Sequence, residues 1–312
     1  MAGRLLVIGV VLNPRSGYVR QHGAPRVRDQ IAQVLPDARI HLLQHGDDVG
    51  ALCKTFIADG ATCIVAAGGD GTVNAVASHL VGTPTALGVL PMGTLNHFAR
   101  DVGVGRDVPA ALQVLAQGHV LPVDVASVND RVFVNNSSIG LYARMVEIRE
   151  RYEQHLGKWR ALAYAATMVL RRAEATVVDL SSQAGTERIH TYMLFVGNNQ
   201  YELDLLHLGQ RAKLDAGELC CFILEGGRRL SLLPHVFRYL RNHHPDRRLF
   251  RSLLITELTV RVAGRRAIEV ACDGEVFRLT TPLRYRALPK ALRVVAPIPP
   301  PLESREVRSA TD

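Results

Sequence analysis

Residues 64–77 read IVAAGGDGTVNAVA, an apolar, strand-like run that breaks into Gly68, Gly69, Asp70, Gly71 and Thr72 and resumes with helical spacing through Asn74. That succession suits a phosphate site. Glycine has no side chain and takes positive φ freely, so backbone N–H groups can approach phosphate oxygens, and a helix starting at the turn adds the positive end of its dipole. Asp70 has the same sign of charge as a phosphate, which points to a bound cation mediating between them. The spacing is neither GxxxxGK[ST] nor GxGxxG, so a Walker-type loop and a dinucleotide fingerprint are both excluded. A tight connection in an α/β sheet would use similar residues, so the neighbouring motifs have to decide.

Two further polar turns follow apolar runs in the same half of the chain. Asn13, Pro14, Arg15, Ser16 and Gly17 come after Leu5 to Leu12, and Pro91, Met92, Gly93, Thr94, Leu95 and Asn96 come after Ala86 to Leu90. A fourth segment, Asp273, Gly274 and Glu275, lies between the strand-like runs Ala267 to Cys272 and Val276 to Thr280. DG is a common hairpin turn. An acidic side chain near a triphosphate can also take the proton from a substrate hydroxyl for in-line attack. Asn135, Asn136, Ser137 and Ser138 read equally well as turn formers and as residues lining a cleft, and Asn198 and Asn199 read first as turn formers.

These turns need elements to hold them. Strands are expected at Leu5 to Leu12, Arg39 to Leu43, Cys63 to Ala67 and Ala86 to Leu90, with helices at Gln21 to Leu35, Val49 to Asp59, Val73 to Leu80 and Val108 to Gln117. That order predicts a parallel sheet with helices on both faces, whose ligands bind beyond the carboxyl ends of the strands. From Pro122 the texture changes to short strands, at Val123 to Val128, Arg131 to Asn135, Thr191 to Gly197, Leu219 to Leu224, Leu254 to Val262 and the two runs around Asp273. A helical stretch is expected from Leu141 to Ala173, a strand at Leu292 to Ala296, and a disordered tail after Pro297. The expected domains are residues 1–125 with 290–297 returning to them, and a β-rich region over 126–289, with 298–312 as the tail.

The chain has 312 residues, 47% apolar and 21% charged, which fits a globular protein long enough for two cores. No apolar run approaches the ~20 residues of a membrane-spanning helix. The N-terminal run is short and lacks a small-residue cleavage site, so the expected compartment is the cytoplasm. Five cysteines without CxxC spacing read as small buried hydrophobes. The net charge of +8 calls for an anionic partner. Between Gly226 and Arg251, arginines interleave with Leu, Val and Phe, which suits peripheral attachment to an anionic membrane at its inner face; a solvated helix with its apolar side in the core is the other reading. Nucleic acid has no supporting motif and few aromatics to stack on. His243 and His244 read as surface residues of the same stretch. Oligomeric state, a homodimer included, stays open.

The order NPRSG, GGDGTVN, PMGTLNHFAR and DGEV resembles the diacylglycerol kinase catalytic family, which includes bacterial lipid kinases and resembles sphingosine and ceramide kinases and, more distantly, NAD kinases. The resemblance covers residues 4 to 296. It implies an N-terminal Rossmann-like α/β domain related to that of NAD kinases, a C-terminal β-sandwich-like domain, ATP in a cleft between them, and a lipid substrate such as diacylglycerol phosphorylated on its hydroxyl. Carried over by motif, Asn13, Ser16 and Gly17 touch the nucleotide, and Gly68, Gly69, Asp70, Gly71, Thr72 and Asn74 hold phosphates. Asp70 engages catalytic Mg2+, Gly93, Thr94 and Asn96 complete the site, and either Asp273 or Glu275 supplies the general base. Two departures stand out. Ala75 follows Asn74 where the family usually has Glu. Relatives often carry an Asp immediately before Gly in a DGL segment that binds a structural magnesium, whereas Leu214, Asp215, Ala216 and Gly217 put the acid one position earlier. NAD kinase activity and a nucleotide-binding or membrane-binding regulator without turnover are the competing functions.

Overall fold

The computed structural model describes residues 7–140, 175–201, 211, 213–225 and 250–298, which form two compact units. The expected helix from Leu141 to Ala173, nearly all of the basic stretch from Gly226 to Arg251 with His243 and His244, and the tail from residue 299 lie outside the described residues.

The first unit holds the residues up to Pro122 together with those from Leu292. Its strands β1 (Ile8–Leu12), β2 (Arg39–Leu42), β3 (Cys63–Gly68) and β4 (Ala86–Pro91) pair in parallel in the order β2-β1-β3-β4. β1, β3 and β4 are buried along their whole length, as strands covered on both faces must be. The helices are α1 (Gly17–His22), α2 (Ala24–Val34), α3 (Val49–Ala58), α4 (Asp70–Leu80), α5 (His97–Asp101) and α6 (Val108–Gln117). Two glycines show which face each helix covers. A side chain at Gly9 would strike the Phe56 ring of α3 at 2.7 Å, and one at Gly88 would strike Leu115 of α6 at 2.6 Å. Gly9 lies opposite Ile64 and Gly88 opposite Val65. Successive residues of β3 face opposite sides, so α3 and α6 cover the two faces. Asp48 caps α3 by accepting from the N–H groups of Gly50 and Ala51, and Asp107 caps α6 through Ala110 N–H.

The second unit, Val123–Ala291, is mainly antiparallel. It contains most of β5 (His119–Val128), then β6 (Arg131–Phe133), β7 (Asn136–Gly140), β8 (Thr176–Ser182), β9 (Gly185–Asn198), β10 (Leu219–Glu225), β11 (Phe250–Ile255), β12 (Glu257–Val262), β13 (Ala267–Cys272), β14 (Glu275–Thr280) and the first part of β15 (Leu283–Ala296). The strands run β14-β13-β7-β9-β8-β12-β15, with β10 and β11 branching from β9. The larger core of the unit buries Phe133, Ile139, Leu180, Val196, Cys221, Val260, Val270 and Tyr285, and a smaller one gathers Met193, Phe195, Tyr201, Cys220 and Phe222. The last residues of β15 run parallel to β4, with Val294 opposite Leu87 in the first unit.

Three expectations change here. Asn136 to Ser138 do not form a turn; they are buried in β7, between β13 and β9. Leu254 to Val262 is not one strand. The chain turns at Thr256, because β11 pairs with β10 while β12 pairs with β8 and β15, and the Thr256 carbonyl accepts from Ala287 N–H at 2.9 Å. The final strand starts at Leu283 rather than Leu292, with exposed Arg284 and Arg286 alternating with buried Leu283 and Tyr285. All five cysteines are buried and unpaired, and burial pushes the thiols of Cys63 and Cys272 up to about 12, where they are inert packing groups.

Candidate active site

In the first unit the three polar turns follow β1, β3 and β4, three adjacent strands, so their carboxyl ends bring the turns together. The contacts are direct. Asn13 Nδ2 donates to Thr72 Oγ1 at 2.9 Å, and Asn13 Oδ1 accepts from Arg15 N–H at 2.9 Å. Ser16 Oγ donates to the Asn13 carbonyl at 2.9 Å, and the N–H of Tyr18, next to Gly17, donates to the Met92 carbonyl at 3.1 Å. Met92 N–H in turn donates to the Gly68 carbonyl at 2.9 Å.

Glycine is required at two points of this junction. A Cβ on Gly68 would sit 2.4 Å from Thr72 Oγ1, so only glycine lets Thr72 fold back to meet Asn13. A Cβ on Gly93 would come within 2.5 Å of Gly69 Cα and 2.9 Å of Asn96 Oδ1, so the two glycine turns touch backbone to backbone. Asn96 locks the second turn from a left-handed conformation with φ 50°: its Oδ1 accepts from Gly93 N–H at 2.9 Å and its Nδ2 donates to the Gly93 carbonyl at 2.8 Å. Gly93→Ala is therefore expected to pry the two turns apart. Because backbone atoms are in the way, the thermal midpoint of the variant in a melting curve should fall by several degrees.

Gly69 precedes α4 and has no side chain to cap it, so the first-turn N–H groups are left for an incoming anion. Asp70 opens that helix, half-buried, with Oδ1 accepting a long bond of 3.4 Å from Phe98 N–H. Thr72 is buried, Thr94 is exposed, and Asn74 Oδ1 is buried without a hydrogen-bond partner among the described residues. His97, which the motif reading left without a role, borders the site. Its Nδ1 faces Arg100 Nη2 at 2.6 Å, and burial together with Arg100 holds its pKa below the ordinary value against the pull of Asp70. Its place directly after Asn96 was the available signal. Among the described residues no cluster of three or more His, Cys, Asp or Glu side chains forms a metal cage. A cation here would rest on Asp70, water and phosphate oxygens, the mode magnesium favours. The Asp70 oxygen other than Oδ1 fits that use, since no hydrogen bond occupies it among the described residues.

In the second unit Asp273 and Gly274 are the two central residues of the β13–β14 hairpin. Their φ values of 48° and 89° are both positive, as a two-residue turn of this kind demands. Asp273 is only 7% exposed. Its Oδ2 accepts from Val134 N–H at 2.8 Å, and its Oδ1 accepts from Asn135 and Asn136 N–H at 2.8 and 3.0 Å. Burial pushes its carboxyl up to about 6, while those three N–H groups and the nearby Arg211 hold it from rising further. It is thus an anion at neutral pH with tuned basicity and one Oδ2 lone pair to spare. Glu275 is exposed at the start of β14. Arg211 is buried, donating to the Val134 carbonyl at 2.7 Å and to Asn135 Oδ1 at 3.3 Å. Asn198 Nδ2 donates to the carbonyls of Asp124 and Val134 at 2.8 and 3.0 Å, so it ties strands together. Asp215 is exposed.

Residues 7–128 match the family model of the diacylglycerol kinase catalytic domain. The chain is 25% identical over 306 residues to a diacylglycerol kinase of Staphylococcus aureus, covering 92% of this chain and 91% of that one. It is 34% identical over 191 residues to a Cronobacter sakazakii protein named "Probable lipid kinase YegS-like", covering 58% of this chain and 61% of the relative. The fold is that of a crystal structure of a diacylglycerol kinase from Bacillus anthracis, with a TM-score of 0.71 at 23% identity over 93% of this chain and 96% of the other. It also resembles an NAD kinase from Archaeoglobus fulgidus in complex with ATP, with a TM-score of 0.52 at 12% identity over 93% of each chain. Residues 7–128, which carry all three interlocked turns, are thus the part of the chain that is similar to a diacylglycerol kinase catalytic domain.

Proposed function

We propose that the protein is an ATP-dependent lipid kinase that phosphorylates the hydroxyl of diacylglycerol or a similar lipid. The observation that carries this reading is the interlock of Asn13, Thr72, Gly69, Gly93 and Asn96 around the uncapped start of α4, inside the part of the chain that is similar to a diacylglycerol kinase catalytic domain. Residues 1–125 with 290–297 bind nucleotide in this reading, and 126–289 serve the lipid. The α4 N–H groups and the glycine turns cradle phosphates, and Asn13, Ser16, Gly17, Thr94 and Asn96 complete the nucleotide contacts. Magnesium, when bound, offsets phosphate charge, and Asp70 is the residue that would hold it. The acceptor oxygen attacks the γ-phosphorus, the bond to the β-phosphate oxygen breaks, and the hydroxyl proton passes to Asp273. Glu275, exposed and outside the N–H cradle, has a lesser part.

No helix among the described residues is long and apolar enough to cross a membrane. Peripheral association with an anionic membrane at the cytoplasmic side fits the net charge of +8 and a lipid acceptor. The test is incubation of the purified protein with labelled ATP and magnesium, against mixed micelles carrying a lipid panel and, separately, against NAD. Labelled lipid with unlabelled NAD is the expected result. Labelled NAD would move the assignment to the NAD kinases, and ATP binding without transfer to any acceptor would mark a regulator.

A further inference from the structure

The resemblance to bacterial lipid kinases implies a structural magnesium beside the loop at residues 214–218, and the residues of this loop do not fit one. A magnesium ion needs oxygen ligands turned toward it. Ala216 contributes no ligand where relatives have the acid, and the Asp215 side chain is on the exposed side. The inward-facing backbone groups of the loop are already engaged: the Leu214 and Glu218 carbonyls accept from Asp124 and Asn199 N–H, and two loop N–H groups find side-chain oxygens. Gly217 N–H donates to Asp124 Oδ2 at 2.6 Å, and Ala216 N–H donates to Asn199 Oδ1 at 3.1 Å. With these carbonyls taken by N–H donors and no acid turned inward, the loop has no free inward-facing oxygen ligands to offer a cation.

Asp124 is the acid that the loop meets. At 1% exposure its carboxylate sits among backbone donors: Oδ2 takes Gly217 N–H, and Oδ1 takes Lys290 N–H at 2.7 Å. Its own N–H donates to the Leu214 carbonyl at 2.7 Å, and its carbonyl accepts from Asn198 Nδ2 at 2.8 Å. Asn199 N–H donates to the Glu218 carbonyl at 2.9 Å, so both ends of the loop are tied to the same two neighbours. Gly217 and Lys290 adopt positive φ, 72° and 52°, and each turns its N–H onto Asp124. A buried carboxylate is tolerated when charge-assisted N–H bonds replace its hydration, and this one has them on both oxygens.

We infer that Asp124 closes this loop directly, joining residues 214–218 to the strand at Lys290 through its carboxylate, and that the second unit therefore holds together without a structural magnesium ion. Magnesium then matters to this protein only through the nucleotide.

Thermal unfolding of the nucleotide-free protein tests this, with the Asp70→Asn variant as the background that removes the other carboxylate expected to hold magnesium. Millimolar magnesium and excess EDTA should give the same midpoint, and adding Asp215→Asn should change nothing. Asp124→Asn turns a donor toward an N–H group and should lower the midpoint by roughly 3–8 °C. A magnesium-dependent rise that disappears with Asp215→Asn would overturn the inference, as would an Asp124→Asn protein that melts like its parent. If Asp124→Asn does not fold, that agrees with the latch, and the magnesium and EDTA comparison still decides.

Discussion

Asp70→Asn is expected to lower lipid phosphorylation on the order of 10^3-fold while leaving the protein folded. The reason lies in how little the fold asks of this side chain. Its one hydrogen bond among the described residues is the 3.4 Å contact from Phe98 N–H, and an amide oxygen accepts that equally well. Loss of the negative charge from the first turn of α4 costs about 0.3–1 kcal/mol through the helix dipole, which shifts the thermal midpoint by a few degrees at most. The charge that would counter magnesium disappears completely. The variant should therefore bind ATP through the α4 N–H groups and the Asn13 turn, yet transfer little phosphate. The measurement is the initial rate on micellar lipid across a range of magnesium concentrations, next to a melting curve. Activity within tenfold of the parent at every magnesium level would remove Asp70 from the cation site.

Much of the first unit was legible because its signals are local. β1, β3 and β4 are continuous apolar runs, each broken by glycine, proline or asparagine, and the expected β1, β3 and β4 differ from the observed ones by at most three residues at an end. That the three turns meet was foreseeable from parallel order alone, since adjacent strands put their carboxyl ends side by side. The partners within the junction were not. The Asn13–Thr72 bond and the Gly69–Gly93 contact depend on which neighbours the missing Cβ atoms of Gly68, Gly69 and Gly93 let approach, which sequence spacing does not encode. The second unit was harder for a different reason. Its β7 is spelled Asn-Ser-Ser-Ile-Gly, a turn-like composition, and becomes a strand because β9 and β13 flank it and pair with its backbone. Asp124 gave no signal at all: a lone Asp inside an apolar run is readable as an exposed strand residue until Gly217 and Lys290, 93 and 166 positions away, are seen to donate to it.

Asp273→Asn is the second large effect, and its value is that it separates Asp273 from Glu275. Asparagine tolerates the left-handed φ of 48°, so the hairpin itself is not strained by the change. Its amide nitrogen must nevertheless face at least one of the three N–H donors that Asp273 accepts from, which costs roughly 1–3 kcal/mol. Removal of the base should lower the rate by a further factor on the order of 10^2–10^4, with ATP affinity retained, whereas exposed Glu275→Gln should stay within about tenfold of the parent. Acidity supplies an independent readout. With the folded carboxyl pushed up to about 6, the parent's kcat should fall as pH drops through that value, and Glu275→Gln should keep the same acid limb. The stability effect has the opposite sense. The folded value lies above the ordinary 3.8, so the contribution of Asp273 to stability is fully present below about 3.8 and is lost as pH rises through about 6. On the order of 3 kcal/mol is at stake, and Asp273→Asn, with no proton to lose, should flatten that part of the stability curve. If the acid limb persists in a folded Asp273→Asn protein and vanishes in Glu275→Gln, the base is Glu275, and Asp273 serves only to pin residues 134–136 to the hairpin.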